Sequence, residues 1–255
     1  KGLNQSVALA RAGIEVYHAG ITGNDGGMLI DACKENKIHT PYLKNLPVKG
    51  GHTIIQVDKH AQNSIILYGG TNQMLTVEFI DSVLNDFKSG DYLVLQNEVN
   101  LLDYIIDAAY EKNMKIILNP APYNDNINKC NLKKVDILIL NEIEGYQCTG
   151  EKEPEKIINR LNQKYPDTEI ILTLGVEGAI YSNGKERVFQ SAFQTDAQDT
   201  TAAGDTFTGY FLAAIIRGYC KEDAMRIAAK ASSIAVSRAG AIPSIPYFDE
   251  VINLL

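Results

Sequence analysis

After Thr76 the chain repeats one rhythm: a short apolar run, a turn, an amphipathic helical pattern, then another apolar run. The runs are YLVLQ (92–96), KIILNP (115–120), VDILILN (135–141) and EIILTLG (169–175). Helical spacing fills 76–88, 101–113 and 154–164, and a further helix follows Asn141. Strands apolar on both faces need cover on both faces, and parallel neighbours need a crossover long enough for a helix. The pattern predicts an α/β fold, a three-layer α/β/α sandwich around a mostly parallel central sheet. Two long helices, roughly 204–217 and 221–238, complete it. Such sheets bind ligands beyond the carboxyl ends of their strands. That singles out Glu98, Asn119, Asn141, Glu144, Thr173 and Gly175.

The front of the chain reads differently. Residues 2–13 carry helical spacing (Val7, Ala8, Ala10, Ala12) ending at Gly13, IEVYHAG (14–20) reads as a strand, and 25–36 as a helix. From 39 to 70 the period becomes two, in HTIIQVD and NSIILYG, with turns expected at Gly50-Gly51 and 59–62. An antiparallel β-strand lid over about 39–70, inserted into one domain spanning 1–255, is the expected organisation. That lid offers a surface for a homodimer.

The balance of 31 acidic and 24 basic residues, −7 overall, argues against nucleic acid or an anionic membrane surface as the main partner. It leaves room for a local anion site, because backbone amides bind phosphate without any lysine. The longest apolar run, 211–216, is far too short to cross a bilayer. Cys33, Cys130, Cys148 and Cys220 form no CxxC pair and read as isolated thiols, and the histidines show no metal-ligand spacing. Cytoplasm is the default compartment.

The stretch DTTAAGDTF (199–207) runs straight into a long apolar helix pattern. Residues 202–205 bring up to four backbone amides to a helix start with almost no side chain to obstruct them. Those amides lack internal partners and carry partial positive charge, so phosphate can approach them directly. Asp205 in the same turn competes with an anion, unless it takes a proton from a hydroxyl attacking the phosphorus. A lone aspartate in a first turn ordinarily complements the helix dipole. Here the small residues around it favour the catalytic reading.

DTTAAGDTFTG resembles the second signature of the ribokinase-like carbohydrate kinases, and KGLNQSVALARAG (1–13) is similar to their first. ILNPAP (117–122), the NxxE motif at Asn141 to Glu144, LTLGVEGAIY (172–181) and RAGAIPSIP (238–246) follow in family order, so the likeness covers essentially the whole chain. It implies an ATP-dependent sugar kinase, with AAGD and the tail favouring transfer to the 5-hydroxyl of D-ribose to give D-ribose 5-phosphate. Asp205 is then the base and Ala202, Ala203 and Gly204 the anion hole. Lys1, Gly2, Asn4 and Glu98 belong to the sugar site, and Asn141, Thr173, Gly175, Gly178 and Gly204 to the nucleotide site. Asn141 and Glu144 organise Mg2+ and its waters, although NEIE also reads simply as an acidic helix start. Asp199, Thr201, Ala235, Arg238, Gly240 and Ser244 match a K+ site.

Two departures accompany the resemblance. The family's first signature has two glycines before its lysine, and a strand with acidic sugar contacts before those. A protein beginning at Lys1 is then expected to bind ATP weakly and to phosphorylate sugar poorly. Position 229 is alanine, where relatives often carry a nucleotide-contacting histidine. The alternatives are a kinase of another sugar or nucleoside, and a non-catalytic sugar- or nucleotide-binding protein. A binder has no use for Asp205 as a base.

Overall fold

A computed structural model describes residues 1–57 and 63–255. The chain begins with α1 (Gly2–Arg11), β1 (Gly20–Thr22), α2 (Gly27–Glu35) and β2 (Leu43–Asn45). A hairpin of β3 (His52–Val57) and β4 (Asn63–Tyr68) follows. Then come α3 (Val77–Leu84), β5 (Tyr92–Gln96), α4 (Leu102–Glu111), β6 (Lys115–Asn119), β7 (Ile137–Asn141), α5 (Glu142–Thr149), α6 (Pro154–Lys164) and β8 (Glu169–Thr173). The last elements are β9 (Gly178–Ser182), β10 (Arg187–Ser191), α7 (Ala203–Ile216), α8 (Lys221–Val236) and α9 (Phe248–Asn253).

The central sheet has the order β10-β9-β8-β7-β6-β5, parallel from β5 to β8 and antiparallel at β8–β9 and β9–β10. Its strands divide their side chains between two cores. Ile117, Ile137, Ile139 and Ile171 face α1, α7 and α8. Ile116, Leu118, Leu138, Leu140, Ile170 and Leu172 face α3, α4 and α6. This period-two partition of wholly apolar strands is what makes three layers. Each parallel strand leads into a crossover, so their polar ends collect at one edge. There Gln96 stands opposite Asn119, and Asn141 opposite Thr173.

The pairing of α1 with α7 sets the site. Gly209 lets them approach: a Cβ at that position would sit 2.4 Å from the Ala8 Cβ. Gly209 lies one helical turn beyond Asp205, so the start of α1 is carried to the start of α7.

The expected strand over 14–20 is absent as such. One bridge joins Tyr17 to His39, and pairing resumes only at Gly20–Thr22 with β2. A turn closed by Leu43 N–H to Thr40 O interrupts the ladder, and Pro41 inside it has no N–H to donate. The front of the 39–70 segment therefore pairs in parallel with β1, and only β3 and β4 form the expected antiparallel pair. Gly50-Gly51 connects β2 to β3 as a loop. The expected turn at 59–62 lies outside the described residues. The antiparallel hairpin of β9 and β10 extends the sheet beyond what the alternation indicated. All four cysteines are free. Among the described residues no helix is long and apolar enough to cross a membrane.

Candidate active site

Asp205 is 4% exposed in the first turn of α7. Its Oδ1 accepts hydrogen bonds from Lys1 Nζ at 3.1 Å and Gln5 Nε2 at 3.0 Å, and its Oδ2 accepts one from Asn4 Nδ2 at 3.0 Å. Burial pushes the carboxyl upward, but the positive charges of Lys1 and the amides of Gln5 and Asn4 outweigh it and hold the group below the ordinary aspartate value. Asp205 is therefore ionised at neutral pH. Lys1, which as a chain-end lysine reads as solvated, instead turns its side-chain ammonium to Asp205. Glu98 Oε2 accepts from Gly2 N–H at 3.3 Å.

The backbone around Ala202 turns through the left-handed region, φ 62°. The expected set of four open amides is reduced, because Ala203 N–H is bonded to Thr200 O at 3.2 Å. Among the described residues Ala202, Gly204 and Asp205 N–H have no partner, which leaves them for an anion. A Cβ built on Gly204 meets nothing within 4 Å. The space is open.

That space belongs to a cavity of about 810 Å³ between the β8–β9 turn, the segment 192–200 and helices α7 and α8. Thr173, Gly175, Gly178, Ala203 and Gly204 line it, and so does Ala229, whereas Asn141 does not. The sequence reading missed Phe193, Phe207, Ser232 and Ser233, which bring two aromatic rings and two hydroxyl-bearing residues to its wall. The only local signal was a pair of small polar residues in α8. Gly178 also has a structural duty: with φ 123° it packs so closely on β10 that a Cβ would lie 2.0 Å from Gln190 O.

Asn141 and Glu144 close the N-terminus of α5 on each other. Asn141 Oδ1 accepts from Glu144 N–H at 2.9 Å, while Asn141 N–H and Nδ2 donate to the Glu144 carboxylate at 3.0 and 3.2 Å. The helix-start reading of NEIE is what the geometry shows, a reciprocal cap on α5. Burial raises the Glu144 pKa above the ordinary value, opposed by the Asn141 amide and the charge of Lys1.

Asp199 ties two segments together. Its Oδ1 accepts from Thr201 N–H and its Oδ2 from Gly240 N–H, both at 2.9 Å, and the Thr201 hydroxyl together with these amides lowers its pKa. Arg238 turns its guanidinium to Glu250, so only its backbone carbonyl is free to face an ion. Ser244 is buried, its hydroxyl donating to Ala241 O at 2.7 Å. Asp199 thus braces the turn before Ala202 against the segment at Gly240. Behind α1, Ser6 Oγ pairs with His18 Nδ1 at 2.8 Å, and burial lowers that imidazole to about 4, leaving it neutral.

Residues 1–247 match the pfkB family carbohydrate kinase description. A ribokinase of Haemophilus influenzae is 32% identical over 266 residues, covering 100% of this chain and 86% of the relative. Among solved structures, ribokinase from Cryptococcus neoformans var. grubii serotype A in complex with ADP superposes with a TM-score of 0.88 at 30% identity, covering 100% of this chain and 87% of that one. Arabidopsis thaliana ribokinase complexed with ribose and ATP gives 0.85 at 28%, covering 99% and 86%. The structure has a buried carboxylate in the first turn of α7 and a cavity beyond the carboxyl ends of the parallel strands, and on these similarities the chain belongs to the pfkB family of carbohydrate kinases.

Proposed function

We propose that the protein transfers the γ-phosphate of ATP to the 5-hydroxyl of D-ribose, giving D-ribose 5-phosphate and ADP. The observation that carries this reading is the ionised Asp205 held beside the free amides of Gly204 and Asp205. ATP occupies the 810 Å³ cavity with its γ-phosphate toward those amides. Ribose lies at the start of α1, among Lys1, Gly2, Asn4 and Glu98. Asp205 takes the hydroxyl proton as the sugar oxygen attacks phosphorus, and the amides and Lys1 hold the charge that develops. The similarity to ribokinases, one of them solved with ribose and ATP, supports ribose as the acceptor. Catalytic efficiencies for ribose, 2-deoxyribose, other pentoses, fructose and a nucleoside, measured by ADP release, test the choice. Ribose is expected to lead by at least about tenfold, because a hydroxyl-binding site strongly penalises a missing or misplaced hydroxyl. A lead for any other acceptor moves the protein to a sister activity.

The ions follow from the donor sets. One carboxylate and one amide, Glu144 and Asn141, suit Mg2+, which keeps most of its waters and takes few protein ligands. When bound it neutralises triphosphate charge. The Asp199 carboxylate and the oxygens of Thr201, Ala235, Arg238, Gly240 and Ser244 suit K+, which orders the turn before Ala202 without touching substrate. Initial rates are expected to be several-fold higher in potassium than in sodium or a bulky organic cation at equal ionic strength. Equal rates in all three remove the potassium assignment.

The β3–β4 hairpin acts as a lid over the sugar and as a dimer surface within a one-domain chain. It exposes Ile54, Ile66, Leu67 and Tyr68, with Ile54 and Ile66 cross-strand partners, and an isolated two-stranded hairpin is marginal in water. Sedimentation is expected to show a dimer that Ile66→Lys weakens, and a wild-type monomer contradicts it. A cytoplasmic location completes the reading, and fractionation of the source cells tests it.

A further inference from the structure

The two oxygens of Asp205 are not equivalent. Each carboxylate oxygen offers two acceptor positions. Oδ1 fills both, with Lys1 Nζ at 3.1 Å and Gln5 Nε2 at 3.0 Å, whereas Oδ2 accepts only from Asn4 Nδ2. A glutamine amide can present either its NH2 or its oxygen, and here a second glutamine decides. Gln96, at the carboxyl end of β5, donates its Nε2 to Gln5 Oε1 at 2.6 Å. Gln5 is 1% exposed, so water cannot take over either bond. Gly2 leaves room for the Gln96 amide, since a Cβ there would lie 2.9 Å from Gln96 Oε1.

We infer that Gln5 is a positioning residue for phosphoryl transfer, oriented by Gln96, and that its bond to Oδ1 leaves Oδ2 as the oxygen that accepts the substrate proton. The inference rests on Asp205 being the base of a sugar kinase. In the step, the sugar O–H bond breaks and its proton moves to Oδ2 as the oxygen forms a bond to the γ-phosphorus. The bond from that phosphorus to the bridging oxygen breaks, and its electron pair leaves with ADP. Lys1 reaches Oδ1 through a flexible stem and cannot alone fix the carboxylate plane. Without Gln5 the carboxylate can turn, and both oxygens have an open position.

The test is steady-state kinetics of the full-length protein with the sugar it phosphorylates best. Gln5→Leu is expected to lower kcat about tenfold through misplacement of the base, with KM for sugar and ATP within about twofold, a split that general destabilisation does not produce. Gln96→Met is expected to lower kcat by a smaller factor. The double variant should be no slower than Gln5→Leu, because Gln96 acts only through Gln5. Gln96→Glu should be slower than Gln96→Met: a carboxylate accepts from Gln5 Nε2 and turns Gln5 Oε1 onto Asp205. Wild-type kcat in Gln5→Leu, or a double variant losing the product of both single factors, overturns the inference. Should Gln5→Leu fail to fold by circular dichroism, the Gln96 pair decides, and equal kcat for wild type and both variants overturns it. A wild-type protein that phosphorylates no sugar fails earlier and removes the functional reading together with this one.

Discussion

Asp205→Asn is expected to lower kcat by roughly 10²–10⁴ while leaving sugar and ATP affinity within a few-fold. The substitution keeps the shape of the side chain. Asparagine Oδ1 can still accept from Lys1 and Gln5, and Asn4 can turn its own amide to meet the new NH2. What is lost is the proton acceptor. Affinity is spared because the open amides of Gly204 and residue 205 and the cavity wall are backbone and apolar features that the change does not touch. Single-turnover rates with calorimetry for each substrate measure both halves. Near-normal turnover means that Asp205 is not the base.

Gly204→Val is expected to separate folding from catalysis. A Cβ at this position meets no atom within 4 Å beyond its chain neighbours and its own helix backbone, so the folded state has room for a side chain. Valine and glycine differ little in helix propensity, and stability should change by less than about 1 kcal/mol. On the proposed function the volume it fills is the phosphate's approach to the Gly204 amide, in the cavity that Thr200, Ala203 and Phe207 also line. Blocking one preorganised donor to developing charge costs about 10²–10³ in rate. Thermal melting should therefore match wild type while kcat collapses, with Gly204→Ala intermediate. A folded Gly204→Val enzyme with wild-type kcat places the phosphate elsewhere.

The central sheet was legible because strands buried on both faces must be apolar throughout, and YLVLQ, KIILN, ILILN and EIILT are. Residues 14–20 carried equally strand-like composition, but a strand needs a partner in register, and the turn at Thr40–Leu43 removes it. Nothing within 14–20 records that. The same limit applies in the site. Asp205 and its small neighbours share one turn, so their chemistry could be read locally. Gln5 sits in an ordinary helical pattern, and its bonds to Asp205 and Gln96 span 200 and 91 positions. Phe193, Ser232 and Ser233 meet only across the cavity. Motif spacing reveals what one turn assembles, and the packing of α1 on α7 assembles the rest.

The most direct measurement is the fate of the transferred phosphorus. The full-length protein is incubated with D-ribose, ATP, magnesium and potassium, and the products are resolved by phosphorus NMR with proton–phosphorus correlation. The expected result is a phosphomonoester coupled to the C5 protons of ribose, formed in equal amount to ADP. ADP without a sugar ester, or an ester on another carbon, contradicts the account.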